Sequence, residues 1–228
     1  MNKFIVLKNI SKKYFTDTSI KVLNDINFTF KKGKVYSVTG PSGSGKSTLL
    51  NLLSLIDSPN SGSIEISGEK INFLKKINND KIRSKKIGII YQDKNLLSDF
   101  TALENVYLPM LLLTNDKIKS LLNAKKILND VGLSSRANHY PSELSGGEIQ
   151  RVAISRALIN TPEIILADEP TGSLDQENAK QIFKILFKLK SKNRVIIFAT
   201  HNRYFANMAD YKLQMSNGKI RVTNARVV

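Results

Sequence analysis

Residues 40–47 read GPSGSGKS, a stretch rich in glycine and serine with a single lysine. The pattern GxxxxGK[ST] leaves backbone N–H groups open to phosphate oxygens, and the next helix adds its positive N-terminal end. Lys46 would reach the β and γ phosphates, and the Ser47 hydroxyl would bind Mg²⁺. The predicted contacts to a nucleoside triphosphate here are Gly40, Pro41, Ser42, Gly43, Ser44, Gly45, Lys46, Ser47 and Thr48.

The elements around this stretch are those that a phosphate site requires. VYSVT at residues 35–39 has the composition of a strand, and STLLNLLSLID repeats leucine at helical spacing. A glycine loop between a strand and a helix distinguishes a phosphate loop from a chance match. A dinucleotide-binding loop is disfavoured because the third glycine of its pattern is missing.

A pair of carboxylates comes directly after a second apolar run. IILA precedes Asp168 and Glu169, so a buried strand would deliver both at its C-terminal end, where open α/β sheets bind ligands. Asp168 suits the Mg²⁺ shell, and Glu169 suits a base that orients and deprotonates the attacking water. Two surface acids would be the ordinary interpretation, but the strand and the phosphate loop disfavour it.

The two histidines are interpreted differently. A lone histidine is more often structural than catalytic, but His201 closes the apolar run in RVIIFATH. If that strand lies beside the one that carries Asp168, the imidazole is within reach of a γ-phosphate, so we predict a catalytic role. His139 has no such placement and is interpreted as structural. No spacing indicates a protein metal cage, so Mg²⁺ arriving with ATP is the only metal predicted.

Composition excludes several classes of protein. The 228 residues contain no cysteine, which excludes disulfides, thiolate zinc sites and cysteine nucleophiles. The apolar runs are far shorter than the ~20 residues of a membrane helix, and the N-terminus lacks a secretory signal pattern, so a cytosolic chain is expected. The net charge of +16 could indicate contact with nucleic acid or an anionic membrane, but scattered lysine doublets favour a merely lysine-rich composition.

The order of elements predicts an α/β fold with a P-loop NTPase (RecA-like) core. Strand patterns before and after the phosphate loop indicate an N-terminal antiparallel β lobe, and three helical patterns between Gln92 and Asn160 indicate an inserted helical lobe. EIILADEP and RVIIFATH flank a helix and form a βαβ unit. We expect one domain over 1–228: the β lobe and P-loop core at about 1–92, the helical lobe at about 93–160 and the rest of the core at 161–228.

LSGGEIQR at residues 144–151 resembles the signature of ATP-binding cassette (ABC) proteins. The resemblance covers essentially the whole chain and implies that Tyr14 stacks on adenine, that Gln92 contacts the nucleotide and Mg²⁺, and that His201 is the switch histidine. It also implies a head-to-tail dimer, in which the signature of one subunit faces the γ-phosphate held by Lys46 of the other. The residues implied on the signature side are Ser145, Gly146, Gly147, Glu148 and Asp175.

Longer stretches of sequence indicate which group within the ABC family the chain resembles. YPSELSGGE and ADEPTGSLD are similar to the ATPases of the lipoprotein-releasing, macrolide-exporting and cell-division group, and NLLSDFTALENVYLPML most resembles the lipoprotein-releasing member. The resemblance implies an ATP-hydrolysing homodimer at the cytoplasmic face of the inner membrane. It would drive integral membrane permease subunits through the segment after Gln92, with a lipoprotein as cargo.

Other functions remain open from the sequence. Ile149 and Asn202 depart from the group's usual residues, which leaves the macrolide-exporter and cell-division types as alternatives. A nucleic-acid-associated ABC ATPase would explain the charge, but the chain has one cassette and no long heptad region, so no stable nucleic-acid partner is expected. A non-hydrolysing scaffold predicts a defective Glu169 or His201, and both residues are present.

Overall fold

The computed structural model describes residues 3–15 and 19–224, without the side chain of Asn224. The strands are β1 (Lys3–Phe15), β2 (Ser19–Lys31), β3 (Val35–Thr39), β4 (Ser61–Ile66), β5 (Glu69–Lys70), β6 (Ile87–Ile90), β7 (Ile164–Asp168), β8 (Val195–Ala199), β9 (Tyr211–Ser216) and β10 (Lys219–Asn224). The α-helices are α1 (Lys46–Leu53), α2 (Lys76–Lys86), α3 (Ala102–Thr114), α4 (Lys117–Asp130), α5 (Gly146–Leu158), α6 (Gln176–Lys188) and α7 (Arg203–Ala206).

The residues form two compact units. Unit 1 contains the chain up to Arg83 and again from Lys190 onward, and unit 2 is Ser84–Leu189. Unit 1 has an antiparallel sheet with the strand order β2-β1-β4-β5 and a second set of strands in the order β10-β9-β3-β8. In the second set, β3 is parallel to both β8 and β9, and β9 and β10 form an antiparallel hairpin.

The strands next to the phosphate loop are buried because most of their side chains are apolar, and the buried hydroxyl of Ser37 donates to the Ala206 carbonyl. Four of the five residues of β3 and all five of β8 are buried, as parallel strands with both faces covered require. On the antiparallel sheet, β1 instead alternates buried residues such as Ile5 and Leu7 with more exposed neighbours. These cores fix the end of β3, where the phosphate loop begins.

Unit 2 combines a parallel strand pair with a helical cluster. β6 and β7 are parallel and in register from Ile87 opposite Ile164. The core of the cluster includes Val106, Leu128 and Val152, from α3, α4 and α5. A Cβ at Gly88 would come within 2.4 Å of the Ala157 carbonyl oxygen, so only glycine lets α5 approach β6 this closely.

Side chains from two helices hold the segment between Gln92 and α3: the Arg156 guanidinium donates to the carbonyls of Lys94 and Asn95, and the buried Asn105 bonds the residues that follow. The Asn105 amide accepts a hydrogen bond from Leu97 N and donates to the carbonyls of Leu97 and Phe100. Thr101 and Glu104 then form a capping box at the start of α3. The backbone of this segment is therefore fixed without regular secondary structure.

The elements predicted from the sequence are confirmed, with three differences. The pattern KKIGIIYQ at residues 85–92 predicts a strand that ends at Tyr91 and Gln92, but β6 ends at Ile90, so Gln92 lies two residues beyond it. β1 and β2 each extend over 13 residues, which is longer than the apolar patterns that predict them, FIVLKNI at residues 4–10 and INFTF at residues 26–30. Helix α2 was not predicted, because Asn79 is its only buried residue and apolar periodicity is missing.

Candidate nucleotide-binding and hydrolysis site

The phosphate loop, residues 40–48, turns by means of its glycines. Gly40, Gly43 and Gly45 have φ values of 152°, 74° and 99°, which are costly for any side chain. A Cβ at Gly40 would come within 2.3 Å of the Met215 carbonyl oxygen, whereas one at Gly43 would meet nothing within 4 Å. The loop therefore packs on β9 at Gly40 and is open at Gly43.

The helix after the loop begins without a side-chain cap among the described residues. The first N–H groups of a helix have no intrahelical acceptor, and they carry the positive end of its dipole. The N–H groups of Lys46, Ser47 and Thr48 are therefore available to an anion, and the Ser47 side chain is exposed. This is the geometry that the sequence pattern predicted for a phosphate site.

The phosphate loop contains two buried polar side chains with atoms suited to a phosphate. Lys46 is only 7% exposed, and its Nζ donates to the carbonyls of Gly40 and Pro41, each at 3.0 Å. These neutral acceptors orient the ammonium without cancelling its charge. Ser44 Oγ is buried and has no hydrogen-bond partner among the described residues. A phosphate oxygen in the loop would satisfy both groups.

Tyr14 lies beside the start of α1 in a network of charged residues. Its hydroxyl donates to Asp57 Oδ2 at 2.9 Å and also hydrogen-bonds the side chain of Thr48. Lys12 Nζ forms an ion pair with Asp57 Oδ1 at 2.6 Å and lies 4.9 Å from the Tyr14 ring centroid. Burial, together with the Asp57 hydrogen bond, raises the pKa of Tyr14. The ring is 37% exposed, so a fixed aromatic surface is available near the phosphate loop.

The charge of Asp57 keeps that network together. Burial by itself would raise the pKa of Asp57, but the hydrogen bonds from Lys12, Tyr14 and Ser58 outweigh burial and lower it. Lys12, only 8% exposed, also donates to the Ser58 carbonyl at 2.8 Å. The ion pair is therefore well shielded from solvent and orders the edge of unit 1 that carries Tyr14.

In unit 2, the predicted carboxylates lie at the end of β7. Asp168 is the last strand residue and is half-buried. Glu169 comes next with a φ of 43°, in the left-handed region that non-glycine residues seldom adopt, and one of its carboxylate oxygens is buried. Its carbonyl accepts a hydrogen bond from Gly172 N at 3.0 Å. The strand end thus turns sharply at the predicted base.

Gln92 and Glu169 both lie close to Gly172, a residue of the same turn. A Cβ placed on Gly172 would lie 3.6 Å from Gln92 Nε2 and 3.6 Å from Glu169 Cβ. The two predicted site residues therefore share the space above one glycine, although they are far apart in the chain. The absence of a side chain at Gly172 leaves this space open.

The signature segment, residues 144–151, forms the start of α5. Ser145 Oγ accepts from Glu148 N at 3.3 Å, and Glu148 Oε2 accepts from Ser145 N at 2.8 Å, which completes a capping box. Ser145 and Gly146 are exposed, whereas Gly147 is buried. The exposed start of α5 therefore presents a serine and a glycine backbone to solvent.

Asp175 is joined to the signature segment through Asn178. Asp175 Oδ1 accepts from the backbone N–H groups of Glu177 and Asn178, each at 3.0 Å, and the Asn178 amide donates to Asp175 Oδ2. These hydrogen bonds, with the Asn178 side chain first, lower the pKa of Asp175. A Cβ at Gly147 would lie 2.4 Å from Asn178 Oδ1, so α6 begins directly against Gly147.

His201 lies in unit 1, two residues after β8, and is exposed. Asn202 then caps α7, and its side chain accepts from Tyr204 N at 2.9 Å. Within unit 1 the structure brings Tyr14 to the phosphate loop. Within unit 2 it brings Gln92 to Glu169 and Asp175 to the signature segment.

The residues that hold these side chains in place were not predicted from the sequence; they are Lys12, Asp57, Arg136 and Asn178. Arg136 Nε forms an ion pair with Glu148 Oε1 at 3.0 Å. Lys12 and Asp57 are 45 positions apart. The spacing of Lys12 and Tyr14 on one strand face was the only local signal, because alternate residues of a strand share a face.

Comparison with known proteins identifies the family. The model of the family described as ABC transporter matches residues 23–172. The chain belongs to this family. It is 44% identical over 223 residues to the "Lipoprotein-releasing system ATP-binding protein LolD" of Rickettsia typhi, covering 97% of this chain and 99% of the relative. The protein of the same name from Wigglesworthia glossinidia brevipalpis is 45% identical over 229 residues, covering 98% and 100%.

Solved structures of ABC cassettes share the fold. The chain matches a dimeric, post-hydrolysis structure of the ATP-binding cassette MJ0796 bound to ADP and Pi, with a TM-score of 0.91 and 37% identity over 98% of this chain and 100% of that one. A second dimeric MJ0796 structure, described as a bacterial ABC transporter cassette, also gives 0.91, with 38% identity over 98% of this chain and 100% of that one. The ABC resemblance, the α/β P-loop fold and the ATP-hydrolysing class predicted from the sequence are confirmed.

Proposed function

We propose that the chain binds ATP with Mg²⁺, closes with a second copy over two nucleotides, hydrolyses them and reopens to drive a membrane permease. The observation that carries the proposal is the phosphate loop. There the buried Lys46 ammonium, and a Ser44 hydroxyl without a partner among the described residues, lie beside open helix N–H groups. We also propose that residues 1–228 form one ABC ATP-binding domain with the lobes predicted from its sequence.

Residues of unit 1 bind the phosphates and the base. Lys46 and the open N–H groups of residues 40–48 bind the phosphates, and Tyr14 stacks on the base from the Asp57 network. Ser47, Gln92 and Asp168 carry oxygen donors, the ligands that Mg²⁺ prefers. When bound, Mg²⁺ would neutralise charge on the phosphates.

Hydrolysis needs a proton acceptor for the attacking water and a group that hydrogen-bonds the γ-phosphate. Glu169 accepts a proton from the attacking water, whose oxygen forms a bond to the γ-phosphorus as the bond to the β–γ bridging oxygen breaks. His201 contributes a ring nitrogen that hydrogen-bonds the γ-phosphate. The sharp turn at Glu169, with its φ of 43°, supports a carboxylate held for this task rather than a freely rotating surface acid.

The signature residues act on the nucleotide of the partner subunit. Ser145 and Gly146 present an exposed backbone at a helix start whose dipole is complementary to a γ-phosphate, and Gly147 and Glu148 complete this helix start. Asp175 supports this surface through Asn178. The dimeric state of the similar MJ0796 structures supports pairing of two copies of this chain.

The favoured task is lipoprotein release, as the names of the relatives state for those proteins. Seven relatives of this name, from several genera, match at 40–45% identity over nearly the full length of both chains, which favours this branch over the macrolide-exporter and cell-division types. In the part of the chain that the structure describes, no helix could cross a membrane. We propose that permease subunits contact the Asn105-ordered segment after Gln92, at the cytoplasmic face of the inner membrane.

Trapping the closed state tests the proposal. The tagged Glu169→Gln variant, which should bind ATP but not hydrolyse it, is incubated with ATP in native membranes, and copurifying proteins are identified by mass spectrometry. The matched control adds Lys46→Ala, which should prevent trapping. A permease recovered with lipoproteins supports the proposal. Recovery of macrolide-exporter or cell-division proteins would replace lipoprotein release with the corresponding task. Recovery of ribosomes or DNA without a permease would refute transport.

A further inference from the structure

The signature segment contains a carboxylate that both caps its helix and meets an arginine. Glu148 is the third residue of α5, and both of its oxygens are engaged: Oε2 accepts from Ser145 N at 2.8 Å, and Oε1 accepts from Arg136 Nε at 3.0 Å. The Glu148 side chain is 18% exposed and that of Arg136 is 46% exposed. One residue therefore connects the signature serine to a cation outside the signature.

This carboxylate creates a conflict of charge at a phosphate-facing helix start. A negative side chain in the first turn stabilises the helix, but it repels a phosphate that approaches the same N–H groups. The Ser145 N–H hydrogen bond first, and then Arg136, lower the pKa of Glu148, so the side chain is charged at neutral pH. A counter-charge is needed if the helix start is to accept the γ-phosphate.

Arg136 is placed for that task by the chain that precedes the signature. It ends a short 3₁₀ turn, Ser134–Arg136, and its Nη1 lies 3.3 Å from His139 Nε2. The backbone after it is tied to α3, because the carbonyl of His139 accepts from Ala102 N and that of Ala137 accepts from Leu103 N, each at 2.8 Å. The backbone that carries the Arg136 guanidinium is therefore held in place next to the signature segment.

We propose that Arg136 is a positioning residue for the signature: it neutralises Glu148 and holds it in the capping geometry, so that the start of α5 can receive the γ-phosphate of the partner subunit. The inference rests on the proposed function, since it requires an ATP-closed dimer. Its basis is separate, because the Arg136, Glu148 and Ser145 contacts lie within unit 2 of a single chain. Glutamine at position 148 would keep the cap and need no counter-charge.

A double-mutant cycle tests the inference with the full chain. Arg136→Gln is made alone and in a Glu148→Gln background, and ATP turnover is measured. ATP-driven dimerisation is then measured by size exclusion after Glu169→Gln is added to each. We expect Arg136→Gln to lower turnover and dimerisation roughly tenfold, the order found when one partner of a charged network is removed. In the Glu148→Gln background the same change should cost less than about threefold.

Two controls separate positioning from a general loss of structure. The affinity for ADP, which lacks the γ-phosphate, should be unchanged by Arg136→Gln and also reports folding. Lys125→Gln removes an exposed cation of α4 and should leave turnover unchanged. If Arg136→Gln does not fold, Arg136→Lys enters the same cycle, with a smaller loss expected because the charge is retained.

The outcomes distinguish this inference from the function on which it rests. Equal losses in the two backgrounds, or wild-type turnover in Arg136→Gln, would overturn the role of Arg136 and leave the ATPase proposal intact. If the chain without the Arg136 and Glu148 substitutions shows neither ATP turnover nor an ATP-driven dimer, the proposed function is overturned, and this inference with it. A loss that Glu148→Gln relieves supports the inference.

Discussion

The phosphate loop and the signature segment are both glycine- and serine-containing helix starts, but they are built differently. α1 begins without a side-chain cap among the described residues and holds the buried Lys46 ammonium. α5 begins with a full capping box made by Ser145 and Glu148. An uncapped start with its own cation can bind phosphate by itself, whereas a capped start that carries a carboxylate presents a preformed, weaker surface.

This difference suits the proposed division of labour. In the proposed mechanism, the phosphate loop binds nucleotide in the monomer, and the signature contributes only when a second subunit brings a nucleotide to it. A weak second contact keeps closure reversible, because the dimer must reopen after hydrolysis. Substitutions in the two segments should therefore separate binding from closure.

The largest effect is expected from Lys46→Ala in the phosphate loop. The change removes the ammonium held by the carbonyls of Gly40 and Pro41, and a charge-assisted contact to phosphate is lost. ATP affinity, measured by calorimetry, should fall on the order of 100-fold or more, by about 2.7 kcal/mol. Lys21→Ala, at an exposed position, is the matched control and should bind normally. Unchanged ATP affinity in Lys46→Ala would disprove the role of the loop.

Gly147→Ala should impair closure while it spares binding. An added Cβ would lie 2.4 Å from Asn178 Oδ1, and Asn178 cannot move freely because it donates to Asp175. Overpacking of this kind costs about 1–3 kcal/mol, so ATP-driven dimerisation in the Glu169→Gln background should weaken roughly tenfold. ADP affinity should not change.

A second substitution tests the cause of that loss. Asn178→Ala removes the atoms that the new methyl group would contact, so Gly147→Ala with Asn178→Ala should dimerise better than Gly147→Ala alone. Dimerisation at the original level in the single Gly147→Ala variant would show that the close approach of α6 has no influence on the signature.

The smallest effect is expected from Asp57→Asn, which tests how Tyr14 is held beside the phosphate loop. The change removes the charge that pairs with the largely buried Lys12 and holds the Tyr14 hydroxyl. ATP affinity should fall about three- to tenfold, since aromatic stacking contributes roughly 1–3 kcal/mol per base. Binding of inorganic tripolyphosphate, which has no base, should be unaffected.

Asp80→Asn is the control for Asp57→Asn, because Asp80 is an exposed acid of the same unit that pairs with its helix neighbour Arg83. It should bind both ligands normally. Thermal unfolding of both variants separates lost stability from lost base contact. Equal weakening of ATP and tripolyphosphate by Asp57→Asn would contradict a role in holding Tyr14.

Prediction from the sequence worked best where function and structure are local. The phosphate loop lies between a strand and a helix that both have clear patterns, and the signature is contiguous with its own helix. The position of Asp168 and Glu169 at the end of a buried strand could be predicted because four apolar residues precede them in the sequence, and the carboxyl end of such a strand is where open α/β sheets bind ligands. Helix α2 was missed for the opposite reason, since its lysine-rich sequence has no buried face except Asn79.

The sequence by itself determined the turns and the charge of the loop that we propose holds a triphosphate, because GPSGSGKS encodes its own backbone geometry through glycine and its own charge through lysine. Only the tertiary structure decided what positions those residues and their counterparts. Asp57 reaches Lys12 and Tyr14, Arg136 reaches Glu148, and Gly172 leaves room for Gln92 beside Glu169. These contacts depend on how strands and helices pack over long separations, and no local pattern of residue types records that packing.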